Sequence, residues 1–290
     1  MSDPAPLLLL DAPYLLYRAF FGLPKSIKGR DGMPVGALLG AVNATLAATA
    51  HRPPRAVVAC FGQESASYRL ALFPAYHAQR DPMPPDLRAQ FDAAPALCAA
   101  LGWQPADHSE LEADDLLASH AAAEVKAGGR ALILTGDRDL YQCAADEVTV
   151  LYVRRGAAAP DEVTPAEVER RYGVTAAQVP DLIALRGDPS DGIPGAKGIG
   201  EKTAAALLQR HGSLEGALAA GESESPRIAH ALAAQREQLL MFRELATLRE
   251  VSVTSPVDRL TDLRGGAAAA RRLGMERLAA RLESGDRGGV

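Results

Sequence analysis

Short apolar runs, each closed by a small or acidic residue, recur through the first 150 positions and alternate with longer stretches of helical character. Residues 7–10 are four leucines ending at Asp11. The runs at 55–61, 130–135 and 148–153 repeat the pattern, the first of them ending at Gly62 and the second at Gly136-Asp137. Apolar runs of this length between turn formers read as strands buried on both faces. The segments 35–50, 86–101 and 112–127 between them have helical length, and Gly128-Gly129 stops the last one. Strands alternating with helices predict an α/β domain, a parallel sheet flanked by helices.

Past residue 160 the pattern becomes helical throughout. Thr164-Pro165 is an N-cap followed by proline at the first helical position, and Gly173 marks the stop. Further helices are predicted over 176–186, 201–211 with Gly212 as its C-cap, 226–249 as one long helix, and 267–282; residues 285–290 are expected to fray. The chain therefore divides into a sheet domain over 1–175 and an all-helical domain over 176–290.

Composition narrows the class without choosing a function. Of 290 residues, 48% are hydrophobic and 23% charged, as in a globular protein. The apolar runs are too short to span a bilayer and no export signal opens the chain, so a cytoplasmic location is expected. Cys60, Cys98 and Cys143 are scattered without CxxC spacing and read as buried thiols of a reducing compartment. A net charge of −5 argues against a nucleic-acid partner until the acids are located.

Eight of those acids are concentrated in Glu112-Ala-Asp114-Asp115, Asp137-Arg-Asp139, Asp188-Pro-Ser-Asp191 and at the strand end Asp11. Ligands in open α/β sheets gather beyond the carboxyl ends of strands, which is where Asp11 and Asp137 fall. Carboxylates sharing one pocket push each other's pKa up unless cations join them, and hard Mg²⁺-type ions suit oxygen ligands. Local readings compete with this: Ser109-Glu-Leu-Glu112 matches a capping box, and Asp188 to Asp191 matches a turn. Two divalent ions would offset four of the negative charges.

Directly after the last acidic pair comes Gly195-Ala-Lys197-Gly198-Ile-Gly200-Glu-Lys202-Thr203. It lacks the Walker pattern and follows no strand, so it is neither a nucleotide P-loop nor a dinucleotide turn. Between helices, its glycines would let backbone N–H groups approach a DNA phosphate, with Lys197 and Lys202 adding charge without reading sequence. The chain holds only five lysines against 26 arginines, and Lys25, Lys28, Lys197 and Lys202 all lie in two glycine-containing loops. Tyr68-Arg69 and Tyr76-His77-Ala-Gln-Arg80 read either as a solvated helix or as a platform where tyrosine stacks on an unpaired base and arginine holds its phosphate.

Taken in this order, the motifs closely resemble the bacterial 5′-nuclease family of 5′–3′ exonucleases and flap endonucleases, including the domain fused to repair-type DNA polymerases. The resemblance runs from about residue 7 to about residue 249 and is most specific at 112–115, 134–141 and 185–203. It implies a PIN-like sheet carrying two or more Mg²⁺ or Mn²⁺ ions, a helical arch at about 65–95, and a helix–hairpin–helix module at about 185–211 that grips duplex DNA and can hold a potassium ion (K⁺). By resemblance, Asp11, Glu112, Asp114, Asp115, Asp137, Asp139, Asp188 and Asp191 are metal ligands. Arg18, Arg69 and Arg80 approach the phosphates as catalytic groups, and Tyr76, His77, Gly195, Lys197, Gly198, Gly200, Lys202 and Thr203 contact DNA. The implied substrates are 5′ flaps, nicks, gaps and 5′ ends in replication and repair. The implied protein is a stand-alone monomer working beside a separate polymerase.

Three positions depart from the family's pattern. Asp11-Ala12 replaces Asp-Gly, Gly62 replaces an Asp, and Tyr76-His77-Ala78 replaces Tyr-Lys-Ala. Loss of the carboxylate at 62 is expected to weaken one metal position, with Glu64 as a group that could reach in, and Gly62→Asp is expected to raise activity at low Mg²⁺. Three readings stand open: an active structure-specific 5′ nuclease, a DNA-junction binding protein with an impaired nuclease site, and a small PIN-type ribonuclease. The last leaves the glycine-lysine hairpin unused.

Overall fold

The computed structural model describes residues 4–154 and 159–285. Its centre is a six-stranded sheet of β1 (Leu7–Asp11), β2 (Ala56–Cys60), β3 (Gln104–Ala106), β4 (Ala131–Thr135), β5 (Val148–Tyr152) and β6 (Asp161–Val163), in the order β3-β2-β1-β4-β5-β6. All pairings are parallel except β5 with β6. Alternate residues of a strand face opposite sides. Leu7, Leu9, Val58 and Ile133 therefore enter one core, and Leu8, Leu10, Val57 and Leu132 enter the other.

The second of these faces is covered by α1 (Ala12–Gly22), α2 (Gly36–His51) and α4 (Pro85–Ala100). A short helix, α3 (Ser67–Leu72), precedes α4, and α5 (Ala113–Lys126) covers the other face. The helical half comprises α6 (Pro165–Tyr172), α7 (Val179–Arg186), α8 (Glu201–His211), α9 (Leu214–Ala219), α10 (Pro226–Ala234) and α11 (Arg236–Ala246). Thr164 caps α6 and Gly173 closes it at φ 68°, as the sequence predicts. The apolar faces of α7, α8 and α11 join the α5 core, so the helical module is continuous with the sheet domain.

The structure departs from the sequence pattern in several places. Helix α1, not anticipated, starts directly from β1 because the Asp11 carboxylate accepts the Tyr14 N–H at 3.0 Å as an N-cap. The long helix expected over 226–249 breaks at Gln235, and edge strands β3 and β6 are too short to stand out by periodicity. The chain then returns: residues beyond 250 run as an irregular strap, tied by Arg259 N–H to the Arg55 carbonyl, into α12 (Leu263–Arg272) and α13 (Glu276–Glu283). These helices share the core of α4 and the sheet. The helical domain expected over 176–290 thus gives up its last two helices to the sheet domain. Of the frayed end expected at 285–290, residues 286–290 lie outside the described residues. The three cysteines are free thiols. Among the described residues, no helix is long and apolar enough to cross a membrane.

Candidate active site

The acids meet at the carboxyl edge of the sheet. Asp11 ends β1, Asp137 and Asp139 follow β4, Asp114 and Asp115 stand in the first turn of α5 behind its N-cap Glu112, and Asp188 and Asp191 face them from the loop after α7. The capping box lies three residues later than the sequence suggested. The acceptor for the Glu112 N–H is Asp115 at 3.4 Å, so Ser109 plays no capping part.

Environment separates the acids into two kinds. Glu112 and Asp115 are saturated with donors. Glu112 accepts from the Ala66 N–H at 2.7 Å, the Tyr76 hydroxyl at 3.0 Å and Arg69, which lies 3.1 Å away. Asp115, fully buried, accepts a bidentate pair from Arg69 at 2.9 and 3.1 Å, the Tyr68 hydroxyl and the Arg249 N–H. Asp11, Asp114, Asp137 and Asp139 are instead crowded by other acids. Burial raises the Asp11 carboxyl to about 7 against the pull of its bonds to Thr135 and Tyr14, with Asp137 adding to the rise. Burial, then Asp11 and Asp137, raises Asp114 well above the usual range. Burial, then Asp137, Asp191 and Asp188, does the same to Asp139, and burial first, then Asp191 and Asp188, raises Asp137.

Such a group is short of positive charge, and all its donors are hard oxygens, so its chemistry fits a Mg²⁺-type ion. Among the described residues no three of these side chains are grouped closely enough to surround one ion as they stand. A pH dependence follows. A folded-state pKa raised above the unfolded value contributes stability below the unfolded pKa and loses it as pH rises through the folded one. In EDTA the melting temperature should therefore fall between pH 5 and pH 8. At pH 8 added Mg²⁺ should restore it, as thermal melts in the two buffers would show.

Several basic and aromatic residues sit differently from the expectation. Arg69 is 3% exposed, bonded to Glu112, Asp115 and the Leu245 carbonyl, and flanked by the Tyr68 ring. It joins α3, α5 and α11 and presents nothing to a phosphate. Tyr76 is 3% exposed, with its hydroxyl on Glu112 and its ring stacked on His77, so it offers no face to a base. His77 is buried at φ 57°. Its Nδ1 lies near Ser65 and the Glu64 carbonyl, and its Nε2 is 3.2 Å from Asp191. The arch expected at about 65–95 is helical at its two ends, α3 and the start of α4; between them residues 74–79 form turns and 80–84 are irregular, with His77 N–H bonded to the Asp191 carbonyl of the 188–192 loop. Arg80 remains half-exposed with one nitrogen 3.0 Å from Asp191, and Arg18 is half-buried on the Arg154 carbonyl. Glu64, the proposed substitute ligand, is exposed and paired with Arg88 instead.

The hairpin is formed as expected. Gly195 and Gly198 take positive φ of 69° and 80°, which a side chain would strain. Lys197, Gly198, Gly200 and Lys202 are exposed, and Thr203 is half-buried at the start of α8. Gln235 and Arg227, which the sequence did not single out, brace it. The Lys197 N–H donates to Gln235 at 2.8 Å, and the Gly195 and Gly198 carbonyls accept from Gln235 and Arg227. No spacing rule links position 235 to 197; only the fold does.

Residues 6–173 match the family model described as the 5′-3′ exonuclease N-terminal resolvase-like domain, and residues 174–265 match the 5′-3′ exonuclease C-terminal SAM fold. The chain belongs to the 5′-3′ exonuclease family. It is 36% identical to a 5′-3′ exonuclease of Mycobacterium tuberculosis over 96% of this chain and 97% of that one, and 38% identical to one of Streptomyces coelicolor over 76% and 77%. The DNA polymerase I of Mycobacterium leprae is 37% identical over 88% of this exonuclease-family chain, which spans 28% of that polymerase's length. The same fold occurs in the bacteriophage T5 D15 protein co-crystallized with metal ions (TM-score 0.69, 16% identity, 96% of this chain and 98% of that one). It recurs in the catalytic core of Rad2 in complex with DNA substrate (TM-score 0.62, 11% identity, 97% and 93%).

Proposed function

We propose that this exonuclease-family chain is a divalent-metal-dependent, structure-specific 5′ nuclease that cuts DNA near 5′ flaps, nicks, gaps and ends. The observation that supports it most is the crowding of Asp11, Asp114, Asp137 and Asp139 at the sheet edge, beside a cleft whose lining runs from Asp137, Asp139 and Asp188 to Glu201, the neighbour of the exposed Lys202. Asp188 and Asp191 would complete the ligand set on the opposite wall, while Glu112 and Asp115 fix the position of α5. When bound, Mg²⁺ or Mn²⁺ ions would supply an activated water and charge for the leaving oxygen. The chain's own residues do the rest. Lys197 and Lys202 hold the duplex backbone, and Arg80, the most accessible of the three arginines, meets the phosphates at the cleft. We place a K⁺ ion at the hairpin as well. We place the protein in the cytoplasm, as a monomer with a DNA polymerase as a candidate partner.

The second reading, a junction-binding protein with weakened chemistry, is favoured by one observation: the Tyr76–Arg80 turn is occupied with internal contacts to Asp191 and Glu112. A 5′-labelled flap duplex incubated with Mg²⁺, Mn²⁺ or EDTA separates the two. Metal-dependent release of a short labelled product supports the nuclease; tight flap binding without product in either metal supports the binder. In the same preparation, Lys197→Ala with Lys202→Ala should weaken duplex binding and flatten its log–log salt dependence by about 1 to 2 units, roughly one per lost phosphate contact. Unchanged affinity would remove the hairpin as the duplex anchor.

A further inference from the structure

The wall of the cleft that carries Asp139 and Asp188 contains a cation of its own. Arg186 is the last residue of α7, and its side chain, 14% exposed, lies under the Tyr172 ring, with Cζ 5.6 Å from the centroid. One terminal nitrogen is 2.7 Å from Glu201, the first residue of α8, and the other is 3.9 Å from the Asp188 carboxylate. Together with Asp137, Asp139 and Asp188 it lines an open cleft of about 670 Å³. Its Nε is buried without a hydrogen-bond partner; among the described residues only the Nε of Arg281, on α13, shares that condition. Leaving a buried N–H unpaired is unfavourable, so hydrogen bonding alone does not account for this placement. Charge does: the guanidinium stands between the Glu201 and Asp188 carboxylates, on the wall of the cleft that also carries Asp139. An arginine cannot relieve crowding by losing its proton, so this charge is permanent.

We propose that Arg186 is a positioning residue that stands in, on the Asp139–Asp188 wall, for part of the positive charge a divalent ion would bring. That wall therefore takes up an ion more weakly than the Asp11–Asp114–Asp137 side. The inference rests on the nuclease reading and deepens it: ion occupancy becomes stepwise, with a tight step on one side and a weak step on the other. Arg80, 3.0 Å from Asp191, adds to the effect at the mouth of the cleft. Two unit charges about 4 Å apart interact strongly at the edge of a protein, enough to change ion affinity by tenfold or more.

The test is calorimetric titration of the full chain with Mn²⁺ alone at pH 8, without DNA. The wild type should show two steps of unequal affinity. Arg186→Met should tighten the weaker step about tenfold or more, because a neutral side chain no longer opposes the ion. Arg186→Gln, which keeps a donor for Glu201, should do the same and covers the case in which the methionine variant does not fold. Arg186→Lys should stay near the wild type. If both neutral variants bind Mn²⁺ as the wild type does, or more weakly, the inference is overturned. Cleavage of the flap duplex by the wild type is read separately. A silent nuclease with a tightened variant isotherm would count against the functional reading and leave the charge assignment standing.

Discussion

Asp137→Ala is expected to lower cleavage of a 5′-flap duplex by roughly a thousandfold or more while duplex affinity holds, since metal-assisted stabilisation supplies several kcal/mol of the barrier and each factor of ten is ~1.4 kcal/mol. The size of the effect comes from where Asp137 stands. It raises both Asp11 on β1 and Asp114 on α5, and it is pressed in turn by Asp188 and Asp191, so it is the carboxylate common to both walls. Its own Oδ1 accepts the Asp139 N–H at 2.9 Å, and the turn after β4 would lose that tie as well. Duplex affinity should survive because the exposed cations of the hairpin are elsewhere, on α8 and the turn before it. Single-turnover cleavage and a filter-binding isotherm on the same flap decide the matter; retained cleavage would remove Asp137 from the metal site.

Gly62→Asp should destabilise the protein by about 3 kcal/mol, the upper part of the range for overpacking, and lower the melting temperature by roughly 10 °C. This reverses what the motif alone suggests. A Cβ at position 62 would stand 2.7 Å from each of three backbone atoms, the Ala113 nitrogen, the Glu112 carbonyl carbon and the Leu111 oxygen. No side-chain rotation relieves contacts with backbone. The segment entering α5 has closed onto the glycine, tied by the Gln63 N–H to the Leu111 carbonyl at 2.8 Å. A carboxylate there would therefore displace Glu112 rather than add a ligand, and activity at low Mg²⁺ should not rise. Thermal melts of Gly62→Asp and Gly62→Ala, with cleavage across a Mg²⁺ series, distinguish the cases. Equal destabilisation in both assigns it to the Cβ; a stable Gly62→Asp with improved cleavage would show that the backbone gives way.

Much of this was legible in the chain because it depends on local order. Strands β1, β2, β4 and β5 declare themselves as apolar runs, and a parallel sheet carries residues at their ends to one edge, so the convergence of Asp11 and Asp137 required no coordinates. The hairpin glycines were equally readable, since positive φ at Gly195 and Gly198 is a property of two residues and their neighbours. The motif order was enough to suggest the family.

What the sequence left undecided is the partner of each charged group. Nothing in a one-dimensional pattern distinguishes Asp114, crowded by other acids, from Asp115, one position on and neutralised by Arg69, because the difference is which way two successive side chains of α5 point and what α3 and α11 place beside them. The same holds for Tyr76 and His77, which read as a solvated helix or a DNA platform and fold into the body. It holds too for Gln235 and Arg227 behind the hairpin, and for α12 and α13, which the chain returns to the sheet domain after leaving it. Local propensity and periodicity set elements and edges. Burial and ion pairing between positions distant in the chain, such as Arg69 with Asp115 and Arg80 with Asp191, set which acids remain for chemistry, and those energies exist only once the tertiary structure has formed.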